Sequence, residues 1–169
     1  MSIDLINGSR SHSKRRFKTI LLVDDEPSVR EMVGRVLQSD GYQVATADNG
    51  QRALDIAAST PIDLVLLDLN LPVKNGWDTF ERLTYEHPFV PVIIITARSN
   101  QLFPALSAGA GALMEKPLDF PKLLETISAL LAEPAETRLA RLAGKATSFH
   151  YMPAGDAAGP NANECFTFT

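Results

Sequence analysis

Cysteine is almost missing: the 169 residues contain one, Cys165. No internal disulfide can form, and a reducing cytoplasmic setting is expected. Long apolar runs are missing as well. The longest are strand-sized, such as Leu64–Leu67 and Val92–Ile95, against the roughly 18 to 20 residues that a membrane-spanning helix needs. The first residues lack the apolar stretch of a secretory signal, so neither insertion nor export is expected. Histidine is scarce: His12, His87 and His150 stand apart with no metal-ligand spacing, and none is given a role.

Positive charge is short wherever the chain is apolar enough to fold. The net charge is −4, but residues 1–18 carry +4, residues 19–133 carry −8, and residues 134–169 are neutral. An acidic body of this kind makes direct DNA binding unexpected. The basic leader, with Arg10, Lys14, Arg15, Arg16 and Lys18, reads as a flexible solvated arm. With 45% apolar residues the remainder can bury a sizeable core. The chain divides into three parts: a leader over 1–18, one folded domain over 19–133, and an extension over 134–169.

Within the central part, strand and helix patterns alternate. Ile20–Val23 is a continuous apolar run, the mark of a strand buried on both faces. Val29, Met32, Val33, Val36 and Leu37 then take helical spacing, and Gly41 ends that helix. Tyr42–Ala47 reads as a second strand. Asp48 or Asn49 caps a second helix, with Ala53, Leu54, Ala57 and Ala58 inward. Leu64–Leu67 and Val92–Ile95 are further strands, separated by a helix over Gly76–Glu86 that buries Trp77, Phe80 and either Leu83 or Tyr85. Ala112–Met114 is a weaker fifth strand. Asp119 caps a last helix with Leu123, Leu124, Ile127, Leu130 and Leu131 inward. The fourth helix, within Gln101–Ala108, carries Pro104 and is limited to one or two turns. The pattern predicts an α/β fold: a doubly wound, five-stranded parallel sheet joined by right-handed crossovers.

In such sheets the working groups gather at the carboxyl ends of the strands. Asp24 and Asp25 come after the first strand, Asp68 after the third, Thr96 after the fourth, and Lys116 lies near the end of the fifth. Carboxylates crowded together repel, and a divalent cation offsets the repulsion. Mg2+ suits hard oxygen ligands. Asp68 ends a wholly apolar strand, so its backbone is fixed at the rim of the core. Beside a metal, its carboxylate could attack a donor phosphoryl group and form an acyl phosphate. Lys116 would neutralise charge on the phosphoryl oxygens, and the Thr96 hydroxyl and Ala97 N–H could each donate to another.

Four stretches carry a family resemblance: Leu21-Leu22-Val23-Asp24-Asp25-Glu26-Pro27, Leu67-Asp68-Leu69-Asn70-Leu71-Pro72 with Gly76 eight residues after the aspartate, Ile94-Ile95-Thr96-Ala97, and Glu115-Lys116-Pro117-Leu118. Over about residues 19–133 the chain closely resembles the receiver domain of bacterial two-component response regulators. The resemblance implies a flavodoxin-like (βα)5 fold, here with a shortened fourth helix. It makes Asp68 the phosphoacceptor, Asp25 and Asp68 direct magnesium ligands, Asp24 a ligand through water, and the Asn70 carbonyl a further ligand. Thr96 becomes the switch hydroxyl, Lys116 the phosphate-binding lysine, and the Lys116–Pro117 bond cis. Asn70 and Arg98 are implied to face the site and tune dephosphorylation. The implied donor is a histidine kinase or histidine phosphotransfer protein.

The chain also departs from that pattern. Receivers usually carry Tyr or Phe three residues before the lysine, where this chain has Leu113. The Thr96–Lys116 interval is short, so the face of the fourth helix, fifth strand and fifth helix, where many receivers dimerise, is expected to be remodelled. The extension is too short for a winged-helix output domain. It reads as a brief basic amphipathic helix, with Arg138, Leu139, Arg141, Leu142 and Lys145, and then coil over Gly155–Asn163. Phe149, Tyr151, Phe166 and Phe168 either tuck back on the domain or form a docking peptide, and Cys165 is an unreactive thiol. The expected output is contact with a downstream protein, or service as a phosphorelay intermediate. A phosphorylation-independent interaction module is one alternative. An aspartyl-phosphate phosphatase is another, disfavoured because Asn70 stands where its acid/base carboxylate is needed.

Overall fold

A computed structural model describes residues 17–72, 75–145 and 148–154, and the backbone of 164–166. Five βα units come first: β1 Thr19–Val23, α1 Pro27–Ser39, β2 Gln43–Ala47, α2 Gly50–Ser59, β3 Leu64–Asp68, α3 Gly76–Glu86, β4 Val92–Thr96, α4 Leu102–Ser107, β5 Ala112–Glu115 and α5 Phe120–Ala132. The extension adds α6 Ala135–Leu142, β6 Phe149–Met152 and β7 Glu164–Phe166. The strand order is β2-β1-β3-β4-β5-β6-β7, with β1 to β6 parallel and β7 antiparallel to β6.

Strand alternation splits the core into two layers. Leu21, Val23, Val65, Leu67, Ile94 and Leu113 face α2, α3 and α4 through Ala53, Leu54, Phe80, Leu83 and Ala105. Ile20, Leu22, Leu66, Ile93 and Met114 face α1 and α5 through Val33, Leu37, Leu123 and Ile127. β3 and β4 are buried throughout, which is why their sequences run apolar without alternation. The sheet is therefore doubly wound, as expected. Its order reverses at β1 and β3, and ligands of such sheets lie at that switch point, beyond the strands' carboxyl ends.

Local chemistry sets the helix boundaries. The Asn49 side chain accepts from the Arg52 N–H (2.8 Å), and Asp119 accepts from the Lys122 N–H (3.1 Å). Gly41 turns the chain after α1 with φ +90°, a conformation that favours glycine. α4 has only six residues, and Pro104 sits in its first turn, as the sequence predicts. Two inward assignments change and one alternative is resolved. Met32 is half exposed, Ala58 is exposed, and of the alternatives Leu83 and Tyr85 it is Leu83 that is buried while Tyr85 is exposed. The apolar stripes are narrower than the residue pattern because only part of each helix meets the sheet.

The extension departs most from expectation. Helix then coil was expected, but after α6 the segment Phe149–Met152 pairs with β5 in parallel, Ala112 opposite His150, Leu113 opposite Tyr151 and Met114 opposite Met152. Of the two fates open to the aromatics, Phe149 tucks back and is buried. The gain is physical: β5 would otherwise present an unpaired edge. A four-residue run, Phe-His-Tyr-Met, is too short for periodicity to separate strand from coil. The leader, the 155–163 coil and Phe168 lie outside the described residues.

α6 also inverts its expected amphipathicity. Arg138 and Arg141 are buried, and Leu139 is exposed. Arg138 Nη1 donates to the Gly109 carbonyl (2.7 Å), and Arg141 pairs with Glu133. Gly109 makes this approach possible, since a Cβ there would lie 3.0 Å from the Arg141 carbonyl oxygen.

Candidate functional site

β1 and β3 are adjacent, so the residues at their carboxyl ends converge. Asp24 leaves β1 directly after Val23, tied by its N–H to the Ala47 carbonyl (3.2 Å). Its carboxylate is buried, and Oδ1 accepts from the Glu26 N–H (2.9 Å). Asp68 is the last residue of β3, is also buried, and accepts from the Asn70 N–H at Oδ1 (2.7 Å). Lys116 leaves β5 and reaches across the sheet. Its Nζ donates to Asp24 Oδ2 (2.9 Å) and to Asp68 Oδ2 (2.7 Å).

Thr96 ends β4, fully buried, and its backbone carbonyl accepts from the Lys116 N–H (2.8 Å). The Thr96 hydroxyl accepts from the Arg98 N–H (2.9 Å). Ala97 and Arg98 themselves are exposed, at the mouth of the site. Asp25 is exposed too, and its carboxylate completes a cluster with Asp24 and Asp68 in which one oxygen of each lies within 4.8 Å of the others. The five strand-end residues chosen from the sequence thus meet in one place. The Lys116–Pro117 bond is cis, as the resemblance implies.

Burial raises the Asp68 carboxyl above its ordinary range; hydrogen bonds from Lys116 and Asn70 oppose this, and the charge of Asp24 adds to it. Burial pulls the Lys116 ammonium down, but hydrogen bonds to Asp24 and Asp68 outweigh it and leave Lys116 raised. Three carboxylates around one ammonium leave two negative charges, which matches a dication. The donors are all hard oxygens, so the residues fit Mg2+.

Several supporting groups have no signal in the sequence. Arg30 Nη1 donates to the Asp24 carbonyl (2.6 Å), fixing the turn after β1. Trp77 Nε1 donates to Gln101 Oε1 (3.2 Å), tying α3 to the start of α4, while its ring meets Phe80 edge-on at 5.7 Å. Glu115 is another. One of its oxygens accepts from the Tyr151 hydroxyl (3.0 Å), the other from the Ala154 N–H (2.9 Å). Gly76 does have a signal, its spacing from Asp68, but its reason is steric. A Cβ on Gly76 would lie 2.4 Å from the Cα of Leu69, the residue after Asp68.

A parallel sheet of this order, with acids and a lysine converging at its carboxyl edge, defines a class: the receiver-type α/β signalling domain. The sequence model of the response regulator receiver domain matches residues 20–128, and the chain belongs to that family. Among curated relatives it is 34% identical over 121 residues to the probable transcriptional regulatory protein TcrX of Mycobacterium tuberculosis, covering 70% of this chain and 52% of that one. It is 39% identical over 114 residues to the transcriptional regulatory protein CpxR of Escherichia coli, covering 66% and 48%. The chain thus spans about half the length of the curated relatives it matches. Among solved structures, the response regulator TrrA of Thermotoga maritima, in complex with magnesium and beryllofluoride, matches with a TM-score of 0.64 at 34% identity, covering 68% of this chain and 99% of that one. A CheY-like receiver domain protein from Methanospirillum hungatei matches with a TM-score of 0.66 at 29% identity, covering 69% and 94%. Among the described residues no helix is long and apolar enough to cross a membrane.

Proposed function

We propose that this protein receives a phosphoryl group on Asp68 from the phosphohistidine of a histidine kinase or histidine phosphotransfer protein, with Mg2+ as cofactor, in the cytoplasm. It then signals through contact with a downstream protein or passes the group on in a phosphorelay. The observation that carries the reading is the Lys116 ammonium bridging Asp24 and Asp68, within a cluster that Asp25 completes. Such a bridge opposes the burial that raises the Asp68 carboxyl and marks where phosphoryl charge is stabilised.

Asp24, Asp25 and Asp68 would hold the metal, joined by the Asn70 carbonyl. When bound, it would neutralise the cluster and the phosphoryl oxygens. A carboxylate oxygen of Asp68 attacks phosphorus, the P–N bond breaks with its electron pair left on the imidazole nitrogen, and an acyl phosphate forms. Lys116 moves from Asp68 Oδ2 to a phosphoryl oxygen. The Thr96 hydroxyl, released from the Arg98 N–H, and the N–H of Ala97 donate to others. Attack of water on phosphorus then breaks the P–O bond to Asp68, restoring the carboxylate and releasing inorganic phosphate. Exposed Arg98 and half-buried Asn70 border the path of that water. The Asn70 side chain is a neutral amide that cannot serve as acid or base, which supports a signalling domain over a phosphatase cycle.

Acetyl phosphate with magnesium tests this. Intact mass should rise by one phosphate in the native chain, not without magnesium, and not in Asp68→Asn. A native chain that never gains that mass would favour a phosphorylation-independent interaction module.

A further inference from the structure

Glu115 joins two parts of the molecule. Toward the acidic site, it is the residue before Lys116 and lies opposite Thr96 in the β4–β5 register. Toward the extension, one oxygen is engaged by the Tyr151 hydroxyl of β6 and the other by the N–H of Ala154, just beyond that strand. The last residue of β5 is therefore clamped from its outer side by the chain's own added strand. Tyr151 packs beside Leu113, its partner in register, against the α2–α4 side of the core.

We infer that Tyr151 is a positioning residue for the chemistry at Asp68, acting through Glu115 on the backbone that carries Lys116. The inference rests on Asp68 as phosphoacceptor. Phosphorylation requires Lys116 to leave the Asp68 oxygen it now holds, and that shift is transmitted to its neighbour Glu115. Coupling of this kind is reciprocal: a strand that fixes Lys116 must itself respond when Lys116 moves.

The response is a loosening, because the extension is docked at a cost. Arg138 and Arg141 are buried in α6, yet Nε and Nη2 of Arg138 and Nε and Nη1 of Arg141 have no hydrogen-bond partner among the described residues. Buried donors without acceptors weaken the docked state. Glu133 offers one carboxylate to the two guanidinium groups. β6 pairs with β5 over Ala112–Met114, and the Glu115 clamp holds the chain at and just beyond the upper end of that ladder, beside the Thr126 hydroxyl contact to Met152 Sδ (3.8 Å).

Two readouts test the inference in the full chain. The first is the rate of phosphoryl gain at Asp68, monitored by intact mass with acetyl phosphate and magnesium. Tyr151→Phe should slow it about three- to tenfold, the worth of one hydrogen bond. Glu115→Ala should slow it similarly, and the double variant no further. Glu115→Gln should stay near the native rate, because its amide oxygen can accept from the Ala154 N–H while its amide N–H donates to the Tyr151 hydroxyl oxygen. Ala154→Pro, which deletes the other donor, gives the same slowing should Tyr151→Phe fail to fold. The second readout is hydrogen exchange over residues 149–154. Beryllofluoride with magnesium should speed it in the native chain and leave it unchanged in Tyr151→Phe, where it is already fast. Native rates in Tyr151→Phe and Ala154→Pro, additive effects in the double variant, or exchange unmoved in a chain that does gain the phosphate mass would each overturn the inference. A chain that gains no such mass would overturn the phosphoacceptor reading, and the inference with it.

Discussion

Lys116 donates to two carboxylates at once, and both are buried. Removing it strands Asp24 and Asp68 facing each other. In metal-free buffer Lys116→Ala is therefore expected to cost about 2–3 kcal/mol, since an uncompensated buried charge is the expensive outcome. Magnesium should restore part of that, and denaturant melts with and without the ion check it. Gly76→Ala is a different case. Its Cβ would meet backbone rather than a movable side chain, so the α3 start or the Leu69 segment must shift. A loss of about 1–3 kcal/mol is expected, with slower phosphorylation, because Leu69 is the residue directly after Asp68. At this scale the sequence was most legible. A residue placed after an apolar strand is a backbone-fixed residue, so Asp24, Asp68, Thr96 and Lys116 could be located by counting. What could not be counted was partnership across the sheet: the Arg30 contact to Asp24 and the Tyr151 and Ala154 contacts to Glu115 join residues that no local pattern pairs.

Elements were legible in proportion to their apolar content. β3 and β4 announce themselves, and Pro104 foretells the six-residue α4. α6 could be placed but not oriented, because its inward face is formed by arginines held by a backbone carbonyl and a carboxylate. Burial there holds Arg138 down to about 10, helped by the charge of Arg141. The same neighbourhood gives the docked extension a pH dependence. His150 on β6 is held below its ordinary value by burial and by Arg141, opposed by Glu133 and Glu125. A base depressed in the folded state takes up its proton more readily when unfolded. Stability is then complete at neutral pH and falls as pH drops through the ordinary imidazole range, roughly 6.5. His150→Gln should lose less Tm than the native chain between about pH 7.5 and 5.5. Equal losses in the two would show that His150 is not the group responsible.

Across the whole molecule, the extension converts β5 from an edge strand into an interior one. The outer edge of β5 is here covered by β6 of the same chain, a covering that the short Thr96–Lys116 interval does not predict. A chain ending after α5, at residue 133, would uncover the polar edge of β5 and the apolar ground beneath Phe149. It should associate or aggregate at concentrations where the full chain does not, by light scattering. Equal behaviour of the two would mean that β6 protects nothing.

The signalling role rests on one covalent event, and its position can be read directly. Borohydride reduces an acyl phosphate to an alcohol, so a phosphorylated aspartate becomes homoserine. After treatment with acetyl phosphate and magnesium, then borohydride, peptide mass spectra should show that conversion at Asp68 and at no other carboxylate. Conversion at another residue, or at none, would contradict the account.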